Sequence, residues 1–257
     1  MANNKIIMFA GVGESTNIVY HAISKDFHIE KVFVEEAVPR KIFLRKRIKN
    51  LGFFVVVGQI LFKLLIVPFL RKISRERERE IKKLNDLNNK QIPGNKIQHV
   101  SSINSDDVIK FLSCCNPDIV IVNGTRIISK KILGSTDAVF INMHAGITPE
   151  YRGVHGAYWA LVNRDYERCG VTVHLIDEGI DTGGVIYQDR VFPSRLDNFV
   201  TYPFLQISAG IPLIIKAIND MLLGGLDIKS MSDENSKLWC HPTILGYLYN
   251  LLFKGIK

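Results

Sequence analysis

Asn142 and His144 stand two residues apart at the end of the apolar run Ala138–Met143. In an extended segment that spacing puts both side chains on one side. The carboxyl ends of strands in open α/β sheets are where ligands bind, so the pair is expected to face a crevice there. Asn142 offers a neutral hydrogen-bond donor, and His144 a group that exchanges protons near neutral pH. A second polar element, Asp177-Glu-Gly-Ile-Asp181-Thr-Gly-Gly184, lies between two strand-like runs and carries carboxylates suited to orienting an imidazole. Turn chemistry and strand capping explain the same residues on spacing alone. A third candidate is Gly11-Val-Gly13-Glu-Ser15-Thr16-Asn17. It begins like a dinucleotide fingerprint, but Thr16 replaces the third glycine, which leaves a tight strand-to-helix turn or a phosphate cradle of backbone N–H groups. His144, His155 and His174 lack the short spacing of a zinc pair, and no metal is expected.

The elements needed to hold these groups are legible along the chain. Ile6–Ala10 reads as a strand, with Ser15, Thr16 or Asn17 capping the helix that follows, and Ile29–Val34 as a second strand. Val100–Ile103 is a further strand candidate. Asp106 and Asp107 load the first turn of a helix with Val108, Phe111, Leu112 and Cys115 on one face, ended by Pro117. Asp118–Val122 and Ala138–Met143 are β-branched or apolar runs of the kind buried on both sides of a parallel sheet. Ala157–Asn163 reads as helix, Gly170–Ile176 and Val185–Phe192 as strands, and Tyr202–Leu223 as a long apolar helix. Alternating strands and helices predict an α/β fold with a doubly wound, mostly parallel sheet. The expected division is a catalytic unit over residues 1–195, interrupted at about 40–89, and a helical extension over 196–257.

The 257 residues carry a net charge of +8, but the excess is local. Between Arg40 and Lys83 fourteen basic residues face Glu76, Glu78 and Glu80, a balance of +11 that leaves −3 for the rest. A general nucleic-acid binder is therefore not expected. Within this segment Leu51–Leu70 is apolar over the length of a membrane span, yet Lys63 sits near its middle and Pro68 would bend it. A buried helix, an oligomer interface, a helix lying on an anionic membrane surface and a true span are the readings left open, and Arg75–Lys83 reads as a solvated helix with pairs such as Glu78 to Lys82. Four cysteines, two of them adjacent, form no disulfide framework, and the start of the chain shows no cleavable leader, so a cytoplasmic location is expected.

Asn142-Met-His144 followed by Pro149-Glu-Tyr-Arg-Gly153, and then Gly170-Val-Thr-Val-His-Leu-Ile-Asp-Glu-Gly-Ile-Asp181-Thr-Gly183, resembles the folate-dependent formyltransferase family. Asp118-Ile-Val-Ile-Val-Asn-Gly-Thr-Arg-Ile-Ile128 resembles the strand and loop beside that family's folate pocket. The resemblance extends over about Lys5–Arg190 outside the interruption. It implies 10-formyltetrahydrofolate as co-substrate, Asn142 on the formyl oxygen as charge develops, His144 stabilising that charge and moving a proton, and Asp181 orienting His144 and acting through water. Asn123, Gly124, Thr125, Arg126, Ile127 and Ile128, with Asp177, Glu178, Gly179 and Ile180, would line the folate side, Arg126 mainly as scaffold. Gly11, Gly13, Ser15, Thr16, Asn17 and Arg152 would meet the acceptor. His155 and His174 read as structural. Ala145-Gly-Ile147 departs from the Pro-Ser-Leu common after the histidine.

The family resemblance leaves the acceptor open. A methionyl-tRNA enzyme would carry a further barrel-like domain, for which Ser194–Lys257 offers little room. Glycinamide ribonucleotide is a second candidate, but its compact enzymes have no counterpart to the interruption. The expectation is a primary amine on an amino sugar, nucleotide-linked and destined for a surface glycan. A catalytically idle scaffold acting through Leu51–Leu70 is the alternative of another class.

Overall fold

The computed structural model describes residues 4–230 and 235–257. The chain opens with β1 (Ile6–Gly11), α1 (Glu14–Ile23) and β2 (Ile29–Glu35). It then runs through α2 (Arg40–Leu51), α3 (Phe53–Leu61), a π turn (Phe62–Ile66), α4 (Val67–Ile73) and α5 (Arg75–Leu84) before β3 (Ile97–Val100). There follow α6 (Asp106–Cys115), β4 (Ile119–Asn123), α7 (Lys130–Leu133), β5 (Val139–His144), β6 (Arg152–Gly153) and α8 (Gly156–Val162). The rest is β7 (Gly170–Leu175), β8 (Val185–Arg190), α9 (Tyr202–Leu222), β9 (Leu238–Trp239) and α10 (Ile244–Lys254). Seven strands form one sheet in the order β3-β2-β1-β4-β5-β7-β8, parallel as far as β5, after which β7 and β8 pair antiparallel. The expected α/β fold is the one observed.

Strand alternation divides the core. Ile6, Met8 and Ala10 face a layer that includes Ile214, Ala217 and Ile218 of α9, whereas Ile7 and Phe9 face Val108 and Leu112 of α6 and Ile132 of α7. Helix α9 thus closes one face of the sheet, and its Gln206 donates to the Gly170 carbonyl at 2.7 Å.

Three local expectations are corrected. The third strand forms at Ile97–Val100 rather than Val100–Ile103, because it pairs with Val32–Glu35 and leaves Ile103 to fill the core below. Helix α1 begins at Glu14 without a side-chain cap, so Ser15, Thr16 and Asn17 lie within its first turn, where the Thr16 hydroxyl donates to the Gly11 carbonyl at 2.7 Å. The expected solvated helix, α5, is docked: Ile81 is buried, Lys82 reaches Glu14 at 2.5 Å as well as Glu78, and Arg77 clasps Asp197 at 2.8 and 3.1 Å. It packs beside α9 as the crossover layer between β2 and β3.

Residues Phe53–Ile73 run as one helix whose π turn answers Pro68. Proline has no N–H for the Leu64 carbonyl and its ring would press on that turn. With Val67 N–H donating to the Phe62 carbonyl, five residues back, the extra residue makes room and the helix continues. Phe62 anchors it among Phe199 and Tyr247, with ring centroids 4.8 and 5.0 Å away.

Asp197 has no exposed side-chain surface. Burial opposes its charge, but hydrogen bonds from Arg77 and Ser194 hold its carboxyl below the ordinary range. Arg77→Ala would leave that charge buried without its guanidinium. Urea unfolding should show a loss of roughly 3 kcal/mol, and Arg77→Lys, which cannot grip both carboxylate oxygens, should restore only part of it.

Candidate active site

The sheet reverses its order of winding between β1 and β4, the place where a crevice opens in this class of fold. The turn after β1 forms one side. A Cβ at Gly11 would lie 2.3 Å from the Gly124 carbonyl, so glycine there serves the close approach of the two loops. Asn123 donates to Thr16 Oγ1 at 3.1 Å and to Ser15 Oγ at 3.4 Å, which ties its side chain to α1. Gly13 and Asn17 lie at the open edge of this turn, and Glu14 in the first turn of α1 bonds Lys82 and Asn89.

Beyond Gly124, whose φ is +70°, the next loop is held from below. Arg126 gives its backbone N–H to Glu35 Oε2 at 2.9 Å and its guanidinium to the carbonyls of Glu36 and Ser101 at 2.8 and 2.7 Å. Its charge is thus spent on backbone carbonyls. Ile128 is buried in the core and only its neighbour Ile127 faces outward; Thr125 bonds the Arg126 carbonyl. On the other side Asp177 accepts from Gly179 N–H and the Thr182 hydroxyl, Glu178 pairs with Lys130 at 3.1 Å, and Ile180 is exposed. Ile127 and Ile180 are thus the apolar side chains that these two loops leave exposed.

At the end of β5, Asn142 and His144 lie on the same side, and Asp181 joins them from the glycine-rich loop. His144 Nδ1 is 3.3 Å from Asp181 Oδ2, and the same oxygen accepts the Gly153 N–H at 2.9 Å. Asn142 Nδ2 reaches Asp181 Oδ1 at 3.5 Å and His174 Nε2 at 3.2 Å. His174 Nδ1 lies 2.6 Å from the Leu175 carbonyl and must donate to it, which leaves Nε2 to accept from Asn142. His174 therefore belongs to the cluster, contrary to its structural reading. The signal lies in the register, since β7 places His174 directly opposite Asn142.

The other nitrogen of His144, Nε2, is 2.8 Å from the Tyr151 carbonyl. Gly146 makes this contact attainable: a Cβ there would lie 2.3 Å from that carbonyl oxygen and 2.8 Å from Nε2. The departure at Ala145-Gly-Ile147 is thus coupled to how the imidazole is held. Acceptors thus face both ring nitrogens of His144, Asp181 Oδ2 on one side and the Tyr151 carbonyl on the other. Burial holds the imidazole below its ordinary range against the pull of Asp181 and Tyr151. Burial works on Asp181 in the opposite sense, but the proximity of His144 and His174 and the hydrogen bond from the Gly153 N–H bring its carboxyl down to about 2.

Arg152 donates to the Ile180 carbonyl at 3.1 Å, so its guanidinium meets the loop expected to serve the folate side. Its Nε is buried without a partner. His155 lies outside the cluster, hydrogen-bonded to His241 at 2.9 Å; burial pushes it down to about 3. No group of three or more His, Cys, Asp or Glu side chains able to hold a metal occurs among the described residues.

The formyl transferase family model matches residues 73–194. A methionyl-tRNA formyltransferase of Thermodesulfovibrio yellowstonii is 36% identical over 50% of this chain and 42% of its own length. One of Finegoldia magna is 37% identical over 46% of this chain and 38% of its own. The chain spans less than half the length of these curated relatives. Among solved structures, a sugar N-formyltransferase of a Shewanella species superposes with a TM-score of 0.57 at 11% identity, covering 92% of this chain and 76% of that one. A phosphoribosylglycinamide formyltransferase of Streptococcus pneumoniae gives 0.54 at 21%, covering 85% and 99%. Both share the fold.

The Asp181 carboxyl, held at about 2 against an ordinary value near 4, contributes stability that is present above pH 4 and is lost as pH falls from about 4 to about 2. The difference corresponds to about 2 kcal/mol. Asp181→Asn should flatten the pH dependence of unfolding in that window, measured by urea titration at several pH values.

Proposed function

We propose that this chain, built around the formyl transferase domain at residues 73–194, moves a formyl group from 10-formyltetrahydrofolate to a primary amine. The observation carrying the reading is the Asn142, His144 and Asp181 constellation at a strand end, within a domain matched by the family model. The new bond joins the acceptor nitrogen to the formyl carbon, the bond from that carbon to the folate nitrogen breaks, and one proton passes between the two nitrogens. Asn142 turns its amide from Asp181, its longer contact at 3.5 Å, toward the formyl oxygen as that oxygen gains charge. The His144 N–H supplies positive potential beside it, and Asp181, through water, takes the proton from the amine. Tyr151 and Gly153 keep the imidazole and the carboxylate in register through their backbones.

For the acceptor we favour a small amine on a sugar, nucleotide-linked and used in surface glycan synthesis. The turn Gly11–Asn17 supports this by offering a helix start at the opposite edge of the crevice from Ile180. Glycinamide ribonucleotide is the second reading, supported by the same turn. The four free cysteines fit a reducing cytoplasm. The test incubates the protein and 10-formyltetrahydrofolate with nucleotide-linked amino sugars, glycinamide ribonucleotide and methionyl-tRNA, reading formylated product by mass. Turnover with an amino sugar alone supports the reading, turnover with either other acceptor replaces it, and none at all leaves a scaffold.

Asn142→Ala, His144→Ala and Asp181→Ala should each lower kcat by at least about 10² with folding intact, because each acts where charge develops. Gly146→Ser should fold less stably and lose turnover with little change in folate binding, as the added side chain displaces the Tyr151 carbonyl from His144.

A further inference from the structure

The helix Phe53–Ile73 reaches a mean hydropathy of 2.4 over an 18-residue window, and only one stripe of it is used by the domain. Val56, Gln59, Phe62 and Leu70 are buried, while Phe54, Leu61, Leu65 and Phe69 face out, Phe54 with 88% of its surface exposed. Helix α10 lies against α3 and the π turn and adds Leu252 and Phe253, both more than two-thirds exposed. The two helices thus form a continuous apolar face that no part of the described chain covers. Soluble proteins seldom leave so extended a face open.

The surroundings of the face identify its partner. From Ala37 to Arg75 the sequence contains no acidic residue, and exposed cations precede the helix on α2 (Arg40, Lys41, Arg45, Lys46, Lys49) and follow it (Arg71, Lys72, Arg75). An apolar face rimmed by unopposed positive charge complements an anionic bilayer, whereas a symmetric contact between two copies would bring these cations against each other. Lys63, the residue hardest to place in lipid, is exposed, and a lysine stem can lie along apolar surface while its ammonium reaches the headgroups. The helix is also fixed against insertion as a span, since Gln59 donates to the His241 carbonyl at 2.7 Å and accepts from Arg47 at 2.9 Å. Gly58 lies so close to Thr243, at the start of α10, that a Cβ would be 2.9 Å from its side chain.

We infer that Phe53–Ile73 and α10 form a docking face that lies in the plane of an anionic membrane surface, with α2 and Arg71–Arg75 on the headgroups. The test is flotation of the purified full chain with phosphatidylcholine vesicles and with vesicles containing phosphatidylglycerol, together with its mass in detergent-free buffer. The expected result is binding at least about 10-fold stronger to the anionic vesicles, weakened at about 0.5 M salt where screening is short-ranged. Leu61→Glu, Leu65→Glu and Leu252→Glu lie at exposed positions and should lose binding by about 10-fold or more while circular dichroism and thermal unfolding stay unchanged. Arg45→Glu with Lys46→Glu should weaken only the anionic preference. A monomer that ignores anionic vesicles overturns the inference. So does a stable oligomer that the same leucine substitutions dissociate and that binds no vesicles, which would assign the face to a second copy.

Discussion

The carboxylate of Asp181 is where three separately folded parts of the chain meet. It takes hydrogen bonds from the end of β5 and from the backbone of β6, and it lies 3.6 Å from the imidazole of His174 on β7. Its backbone is left-handed, with φ +51°, and Gly183 just beyond lets the chain pass within contact of the Leu175 carbonyl. A charge buried to this extent is tolerable only with several donors around it. The positions of β6, the glycine-rich loop and the two imidazoles are therefore mutually dependent: displacing any one of them strands the carboxylate.

Where a run of residues buries both sides, as in Ile119–Asn123 and Val139–His144, the sequence shows the strand because no solvent-facing alternation is required. Asn142 and His144 stand at the end of such a run, but on spacing alone turn chemistry and strand capping account for them and for Asp181, and only the resemblance singles the three out. His174 was hidden because it lies inside an ordinary strand and acquires its partners only through antiparallel pairing with β5, a relation between distant segments. Arg126 and Gly146 illustrate the two other kinds of hidden role. The first spends its charge on backbone carbonyls two strands away; the second matters for the atom it lacks.

The apolar segment was conspicuous in sequence, but its disposition was not. Hydropathy reports composition, and the division of Phe53–Ile73 into a docked stripe and an open one depends on Phe62 entering an aromatic cluster built from Phe199 and Tyr247, far along the chain. Segment 238–243 couples this face to the candidate site: Trp239 pairs beside Gly153, and His241 meets both His155 and Gln59. Strand β6, whose Gly153 N–H bonds Asp181, and the open helices are consequently built against the same short stretch of backbone.

Parallel neighbours such as β2 and β3 require a crossover of a dozen residues or more, and α5 with the chain leading to β3 already satisfies that requirement. The connection thus has two parts under different obligations. Helix α5 is compulsory, since without it the strands cannot be joined with the correct hand. Residues 40–73 carry no such duty, and the sheet would keep its order whatever they were. Strand pairing therefore does not account for the apolar helix there, and the side chains it leaves exposed answer to something outside the topology of the fold.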